Sequence, residues 1–283
     1  MIHTPMQKYP RTQHIEGSRL QPGDEDYAAV PFHEIQGLPL VVEEKIDGAN
    51  SGISFDEQGE LLLQSRGHYL TGGAREKHFN LFKQWAATHQ QMFYEALGHR
   101  YVVYGEWVYA KHTIFYDALP HYFLEFDVWD RETGTFLDTP SRKRLLSDLP
   151  IASVPVLKTC KFKSLKELIS LIGPSQFIRE GHIERLLRHC ENDGLDRETA
   201  WRETDCSTMA EGLYIKHERN GIVADRFKFV RAEFLQTALA SGSHWLARPI
   251  IPNQLVRNVN ELFLSELPPI HDAVQNLGGA ANG

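Results

Sequence analysis

The sequence predicts an α+β fold of antiparallel or mixed sheets with flanking helices, and three observations carry that prediction. Residues 38–65 read as a strand, a tight connection and a β-hairpin, and 101–107 and 121–129 as two further aromatic and β-branched strands. One long stretch, 74–97, has the three- and four-residue apolar spacing of an amphipathic helix. Near the other end, Asn220-Gly221 separates two further β-rich runs and is the strongest short hairpin signal a chain can carry.

Taken in order, LPLVVEEKI and SGISF read as a strand, a tight connection and a second strand, and Asp56-Glu57-Gln58-Gly59 turns the chain into ELLLQS. A loop with Gly67, Gly72 and Gly73 follows. From Ala74 to about Leu97, the residues Leu81, Phe82, Trp85, Met92, Phe93 and Ala96 mark one helix face, with Gly98 as its C-cap. YVVYGEW (101–107) and HYFLEFDVW (121–129) are aromatic and β-branched strands. From about 139 to 209 the texture turns helical: Arg142–Leu149 follows Pro140, and Ser164-Leu165-Lys166-Glu167 is a capping box whose helix Gly173-Pro174 closes. This reads as a helical insertion. The hairpin of 213–217 and 222–230 then closes a main domain spanning 1–231. Residues 232–283 read as a small C-terminal helical segment that begins with AEFLQTALA and ends in a GGAANG tail too poor in apolar residues to order itself.

Composition excludes several classes. The chain has 283 residues, 42% hydrophobic and 24% charged, and 30 Lys+Arg against 37 Asp+Glu give 30 − 37 = −7. That is an ordinary globular composition, neither disordered nor collagen-like. No run approaches the roughly 18 apolar residues of a membrane span, and the polar start MIHTPMQKYPRTQH lacks a secretory apolar run, so a cytoplasmic protein without a membrane partner is expected. Cys160, Cys190 and Cys206 form no C-x-x-C pair and are odd in number, which predicts free thiols. Because the total charge is acidic, any polyanion site must be a local patch. The basic runs Arg142-Lys143-Arg144 and Lys158, Lys161, Lys163, Lys166 read first as solvated helix faces and second as strand contacts. His68, His78, His112 and His121 lack metal-ligand spacing and read as structural, with Lys111-His112 the one pair worth testing for function.

The usual phosphate-loop, dinucleotide, zincin and serine-hydrolase signatures are absent. What the chain does carry is an ordered set. Lys45-Ile46-Asp47-Gly48-Ala49-Asn50 ends the first strand, where a lysine amine, once neutral, can attack phosphorus; nearby cations or a metal would lower its pKa. Ser65-Arg66-Gly67, Tyr104-Gly105-Glu106-Trp107, Leu124-Glu125-Phe126-Asp127, Glu211-Gly212-Leu213-Tyr214-Ile215-Lys216 and Asp225-Arg226-Phe227-Lys228 follow. Glu106 and Glu211 stand amid apolar strand residues, where a carboxylate is costly unless partnered, and this favours a functional role for both.

As a set, spanning about 40–231, these motifs resemble the covalent nucleotidyltransferase superfamily, and the short chain with Asn50 looks most like its phage-type branch of ATP-dependent, nick-sealing RNA ligases. The resemblance implies a ligase adenylylation domain, ATP-grasp-like in type, and a three-step reaction. Lys45 would take AMP from ATP, AMP would pass to a 5′-phosphate RNA end, and a 3′-hydroxyl would displace it. It further implies that Asp47, Asn50 and Arg66 help bind the nucleotide, that Glu106 holds the ribose, and that Phe126 stacks on the purine. Glu211 would serve the divalent metal, Mg2+ or Mn2+, and Lys216, Arg226 and Lys228 would neutralise the α-phosphate. Arg226 departs from the family pattern, which has lysine there. Implied partners are RNA with 5′-phosphate and 3′-hydroxyl ends and end-healing kinase or phosphatase enzymes.

Three rivals share the motifs: a DNA ligase, a GTP-using capping-type guanylyltransferase, and an inactive RNA-binding adaptor on the same fold. The first two usually carry a five-stranded barrel after the last motif, for which the stretch after Arg231 is too short and too helix-like. Retention of Lys45, Glu106, Glu211 and Lys228 together speaks against the third.

Overall fold

The structure is a computed structural model that describes residues 4–20, 28–240 and 248–264. In chain order its elements are β1 (Gln13–His14), α1 (Phe32–Ile35), β2 (Leu40–Lys45), β3 (Ala49–Phe55), β4 (Leu61–Ser65), a 3-10 turn (Ala74–Phe79), α2 (Asn80–Thr88), α3 (Gln90–Leu97), β5 (Tyr101–Trp107), β6 (Phe123–Asp130) and β7 (Thr135–Phe136). Next come α4 (Thr139–Leu145), β8 (Ala152–Ser153), β9 (Val156–Cys160), α5 (Leu165–Ile169), α6 (His182–Asn192), α7 (Arg197–Arg202), β10 (Gly212–Arg219), β11 (Ile222–Val230), α8 (Ala232–Ala240) and a 3-10 turn (Val259–Phe263). One sheet runs β1-β11-β10-β2-β9; the other runs β4-β3-β5-β6-β7, with β8 beside β6. All pairs are antiparallel except β1 with β11 and β8 with β6, so the expected α+β class with mixed sheets is what forms.

Strand periodicity divides the first sheet into a dry face and a charged face. Leu40 and Val42 of β2, Leu213 and Ile215 of β10, and Phe227 and Phe229 of β11 pack with Ile15, Phe32 and Phe162 into a buried cluster. Each such side chain contributes about 1.5–3 kcal/mol by leaving water. Alternation therefore turns Glu43, Lys45, Tyr214, Lys216, Arg226 and Lys228 to the opposite face, toward the second sheet. That second sheet is held from behind by α2 and α3, where the Phe82 ring lies 5.1 Å from Trp107 and 5.5 Å from Phe123.

Turn chemistry matches the sequence. Asn220 and Gly221 both have positive φ, 54° and 82°, as a two-residue hairpin requires. Gly212, by contrast, is fixed by crowding: a Cβ there would lie 1.8 Å from the Phe229 carbonyl oxygen, so only glycine lets β10 pair with β11 beside Glu211.

Three expectations change. The single helix over 74–97 is a 3-10 turn and two helices, broken at His89, whose buried ring donates from Nε2 to the Leu262 carbonyl at 2.8 Å and so is tied to the C-terminal turn. The stretch 139–209 is not purely helical, because β8 joins the second sheet and β9 forms an edge of the first. Residues 248–258 pack on the main body as an extended segment: Ala110 bridges Pro252, Leu119 bridges Leu255, and buried Asn253 accepts from the Tyr116 amide and donates to the Val108 carbonyl. The GGAANG tail lies outside the described residues. All three cysteines are free. Among the described residues no helix is long and apolar enough to cross a membrane.

Candidate active site

Between the charged face of the first sheet and the second sheet lies a cleft of about 670 Å³ including its mouth. Its walls include Lys45, Asn50, Arg66, Glu106, Phe126 and Lys228, six of the residues singled out in the sequence. The register explains their convergence. Lys45 ends β2 opposite Gly212 of β10, while Asn50 of β3 stands directly across from Glu106 of β5. The tight Ile46–Gly48 connection carries the chain from one sheet to the other, so a single motif supplies residues to both walls.

Glu211 lies at the base of this arrangement and pairs with Lys45, Oε1 to Nζ 2.7 Å. Burial pushes the Lys45 amine down, but Glu211, Glu106 and Asp47 outweigh it and hold the amine above its usual value. Reading the sequence suggested cationic neighbours; the immediate neighbours are carboxylates, and the amine stays protonated until something positive arrives. Burial in turn raises the Glu106 carboxyl to about 8 and the Glu211 carboxyl to about 7, with Lys45 opposing the shift in each. Perturbed acids beside a buried lysine in a concave site are the usual mark of a reaction centre.

Two buried oxygens in the cleft, Asn50 Oδ1 and Glu106 Oε2, have no hydrogen-bond partner. Buried acceptors left in this way call for a ligand carrying donors, such as the hydroxyls of a ribose. Phe126 and Tyr214, ring centroids 5.8 Å apart, add aromatic surface beside them. Among the described residues no three His, Cys, Asp or Glu side chains gather into a metal cage. A carboxylate such as Glu211 suits a hard cation that keeps water and phosphate oxygens for its remaining positions.

Three expected site residues are placed elsewhere. Asp47 is turned from the cleft: its Oδ2 accepts from the amides of Thr113 and Ile114 at 2.7 and 2.8 Å, pinning the loop behind Lys45. Lys111-His112 belongs to that loop, with Lys111 Nζ donating to the carbonyls of His112 and Glu203. Lys216 is fully buried below the cleft, bonded to Glu43 (2.9 Å), Asp127 (3.1 Å) and the Phe126 carbonyl, so its charge is already neutralised within the protein. Arg226 lies behind Tyr9, its guanidinium 3.9 Å from the Phe136 ring centre and its Nε 3.7 Å from Asp127. The β strand that brings Lys228 to the cleft carries Arg226 two residues, one full pleat, farther from it.

A buried ionic layer thus underlies the site and joins the two sheets. Arg142 of α4, without any exposed surface, donates to both oxygens of Glu125 and to Glu43, and Glu43 meets Lys216. Burial would raise Asp127, but Lys216, Arg226 and Arg142 hold it below the ordinary carboxylate value. The Arg142-Lys143-Arg144 run is therefore not a uniform solvated face. Lys158, in the other basic run, lies on β9 and pairs with Glu167 at 3.6 Å.

Sequence reasoning missed Tyr9, Thr12, Glu44 and Tyr214 as cleft residues. Tyr9 accompanies Phe126 at 5.1 Å and bonds through its hydroxyl to Asp127 and Tyr214, yet nothing in the pattern around an isolated N-terminal tyrosine announces this. Tyr214 was within reach, since period-two alternation puts it on the same face as Lys45 and Lys228.

Comparison with known proteins gives a consistent result. The family model described as RNA ligase matches residues 38–230. A mutant of the Naegleria gruberi RNA ligase with ATP and Mn is similar in fold at 17% identity and a TM-score of 0.50, covering 82% of this chain and 58% of that one. A second mutant of that ligase, with AMP and Mn, gives 16% identity and a TM-score of 0.51, covering 82% and 57%. The chain thus spans a little over half the length of these solved proteins. No protein of curated function matches it.

Proposed function

Because the chain belongs to the RNA ligase family, we propose that it is an ATP-dependent RNA ligase that forms a lysyl-AMP intermediate on Lys45, transfers AMP to a 5′-phosphate RNA end and seals that end to a 3′-hydroxyl. The observation that supports this most is the cleft itself: a lysine amine 2.7 Å from a buried carboxylate, in a pocket with aromatic walls and two unpartnered acceptors.

In this reading each group takes a role suited to its position. Glu211 aims Nζ of Lys45 and keeps it protonated until substrate arrives. The triphosphate brings Lys228 and Arg66 close to anionic oxygens, where fixed cations stabilise charge that develops on the α-phosphate. Phe126 and Tyr214 receive the purine, and Asn50 and Glu106 offer acceptors to the ribose hydroxyls. A divalent ion, Mg2+ or Mn2+, held by Glu211 would supply positive charge at the α-phosphate and lower the pKa of the amine. The neutral Nζ then attacks the α-phosphorus, and the bond to the β-phosphate breaks as pyrophosphate leaves. The Naegleria gruberi ligase carries ATP or AMP with Mn in the solved structures, which supports the same pairing of nucleotide and metal here. Lys216, Asp127 and Arg226 act from below, by fixing the strand that carries Phe126.

RNA repair in the cytoplasm, with separate enzymes that heal the ends, is the setting this chemistry fits. Four nicked duplexes with RNA or DNA on each side of the break test the substrate. Efficient sealing is expected where the 3′-hydroxyl strand ends in ribonucleotides, whose 2′-hydroxyls and A-form geometry a shallow surface can read. Equal rates on all-DNA nicks would instead support a DNA ligase.

A further inference from the structure

Beside the cleft, on the far side of the Tyr9–Pro10 segment, lies a second and shallower groove, of whose cations only Arg226 has a role described above. Three pieces of the chain form it: the N-terminal segment, the β6–β7 hairpin with Trp129 and Phe136, and the β10–β11 hairpin with Arg219, Ile222 and Ala224. Pro10 lines both concavities, so the two adjoin.

Lys8, Arg219 and Arg226 contribute three cations to the groove, and its lining includes no carboxylate, in a protein whose net charge is −7. Its floor is aromatic, with Trp129 and Phe136 at 4.8 Å between ring centres and Arg226 stacked on Phe136 at 3.9 Å. Arg226 Nε faces buried Asp127 at 3.7 Å, and its buried Nη2 has no hydrogen-bond partner. Cations that follow a groove with half-buried aromatic surface between them are what a polynucleotide strand needs: phosphates meet the cations, and an unstacked base meets a ring. An acidic peptide would use the cations and leave Trp129 unused.

From this we infer that the groove between the β6–β7 and β10–β11 hairpins is a polynucleotide-strand site, which holds RNA flanking the break and feeds its end past Pro10 into the cleft. The inference rests on the ligase reading for its substrate class, and the test keeps the two apart. Lys8 and Arg219 are exposed and outside the cleft, so their substitution does not disturb the nucleotide site.

The full chain carrying Lys8→Glu and Arg219→Glu is compared with wild type in three assays: covalent labelling by ATP with Mg2+, binding of a nicked RNA duplex across a salt series, and competition of that binding by polyglutamate. Circular dichroism accompanies them to check the fold. Expected are unchanged labelling, at least tenfold weaker RNA binding, and a flatter salt dependence, since each lost phosphate contact removes about 0.7–0.9 from the log–log slope. Unchanged affinity and slope would overturn the assignment. So would failure of wild type to bind RNA, or displacement of RNA from wild type by polyglutamate as readily as by unlabelled RNA, which would make the groove a site for acidic peptides. If wild type binds RNA through these residues yet takes no label from ATP, the strand site stands and the ligase reading falls.

Discussion

Replacing Arg142 with methionine isolates the buried ionic layer under the cleft. The guanidinium donates to Glu125 Oε1 and Oε2 at 3.0 and 3.1 Å and to Glu43, and none of the three side chains has exposed surface. Methionine fills most of the volume but removes the cation. Glu43 keeps Lys216 at 2.9 Å, whereas Glu125 keeps the hydrogen bond from Ser153 Oγ at 2.8 Å and only the more distant charge of Lys216. Stranding a buried carboxylate in this way costs about 3–5 kcal/mol, a large share of the 5–15 kcal/mol that holds a typical fold. At about 2–4 °C per kcal/mol, the melting temperature should fall by roughly 6–20 °C. Burial already raises the Glu125 carboxyl, and losing Arg142 raises it further. A raised carboxyl is stabilising when protonated, so the deficit should be smallest at low pH and grow as pH climbs. Adding Glu125→Gln should recover part of the loss, because an amide needs no counter-charge. Urea unfolding followed by tryptophan fluorescence at pH 5 and pH 8 measures this. A loss below about 1 kcal/mol at pH 8 with an unchanged denaturant slope would show that the layer is not held as described.

Other consequences follow from the same geometry. Glu106→Gln should flatten the pH dependence of stability: burial lifts this carboxyl from 4.5 to about 8, so wild type loses stability as pH rises through that window. The shift corresponds to at most about 5 kcal/mol, and the partial exposure of Glu106 reduces the expected change to about 2–3 kcal/mol; identical thermal-melt profiles from pH 5 to 9 would contradict it. The initial rate of nucleotide transfer to the protein should climb with pH, up to tenfold per unit, because only the neutral Lys45 amine attacks and its carboxylate neighbours hold it protonated. A flat rate between pH 6 and 9 would point to a different nucleophile. Phe126→Ala should raise KM for ATP about tenfold or more, since stacking on a base is worth about 1–3 kcal/mol, while Phe126→Trp should stay near wild type.

What could be read from the sequence depended on how local its cause was. Strand alternation, the Asn220-Gly221 hairpin and the motif order are carried by neighbouring residues, and six of the ten expected site residues line the cleft. The resemblance set Lys216 and Arg226 at the α-phosphate, whereas here one lies below the cleft and the other behind Tyr9; strand alternation gives the face a residue takes, not how far along the strand the pocket extends. Arg142 looked like one of three similar cations, and its partners Glu43 and Glu125 stand 99 and 17 residues away in sequence. The signal was on the acid side, where Glu43-Glu44 interrupts an apolar strand and each carboxylate requires a partner. The break at His89 was invisible because Leu262, which accepts its hydrogen bond, lies 173 residues later.

Lys45 as the nucleophile is the central claim, and it is tested most directly by incubating the protein with α-labelled ATP and Mg2+ or Mn2+, then separating it under denaturing conditions. Wild type should carry one acid-labile AMP that maps to the peptide containing Lys45, GTP should give no label, and Lys45→Ala, folded by circular dichroism, should carry none. A label that persists in the folded alanine variant would contradict the account.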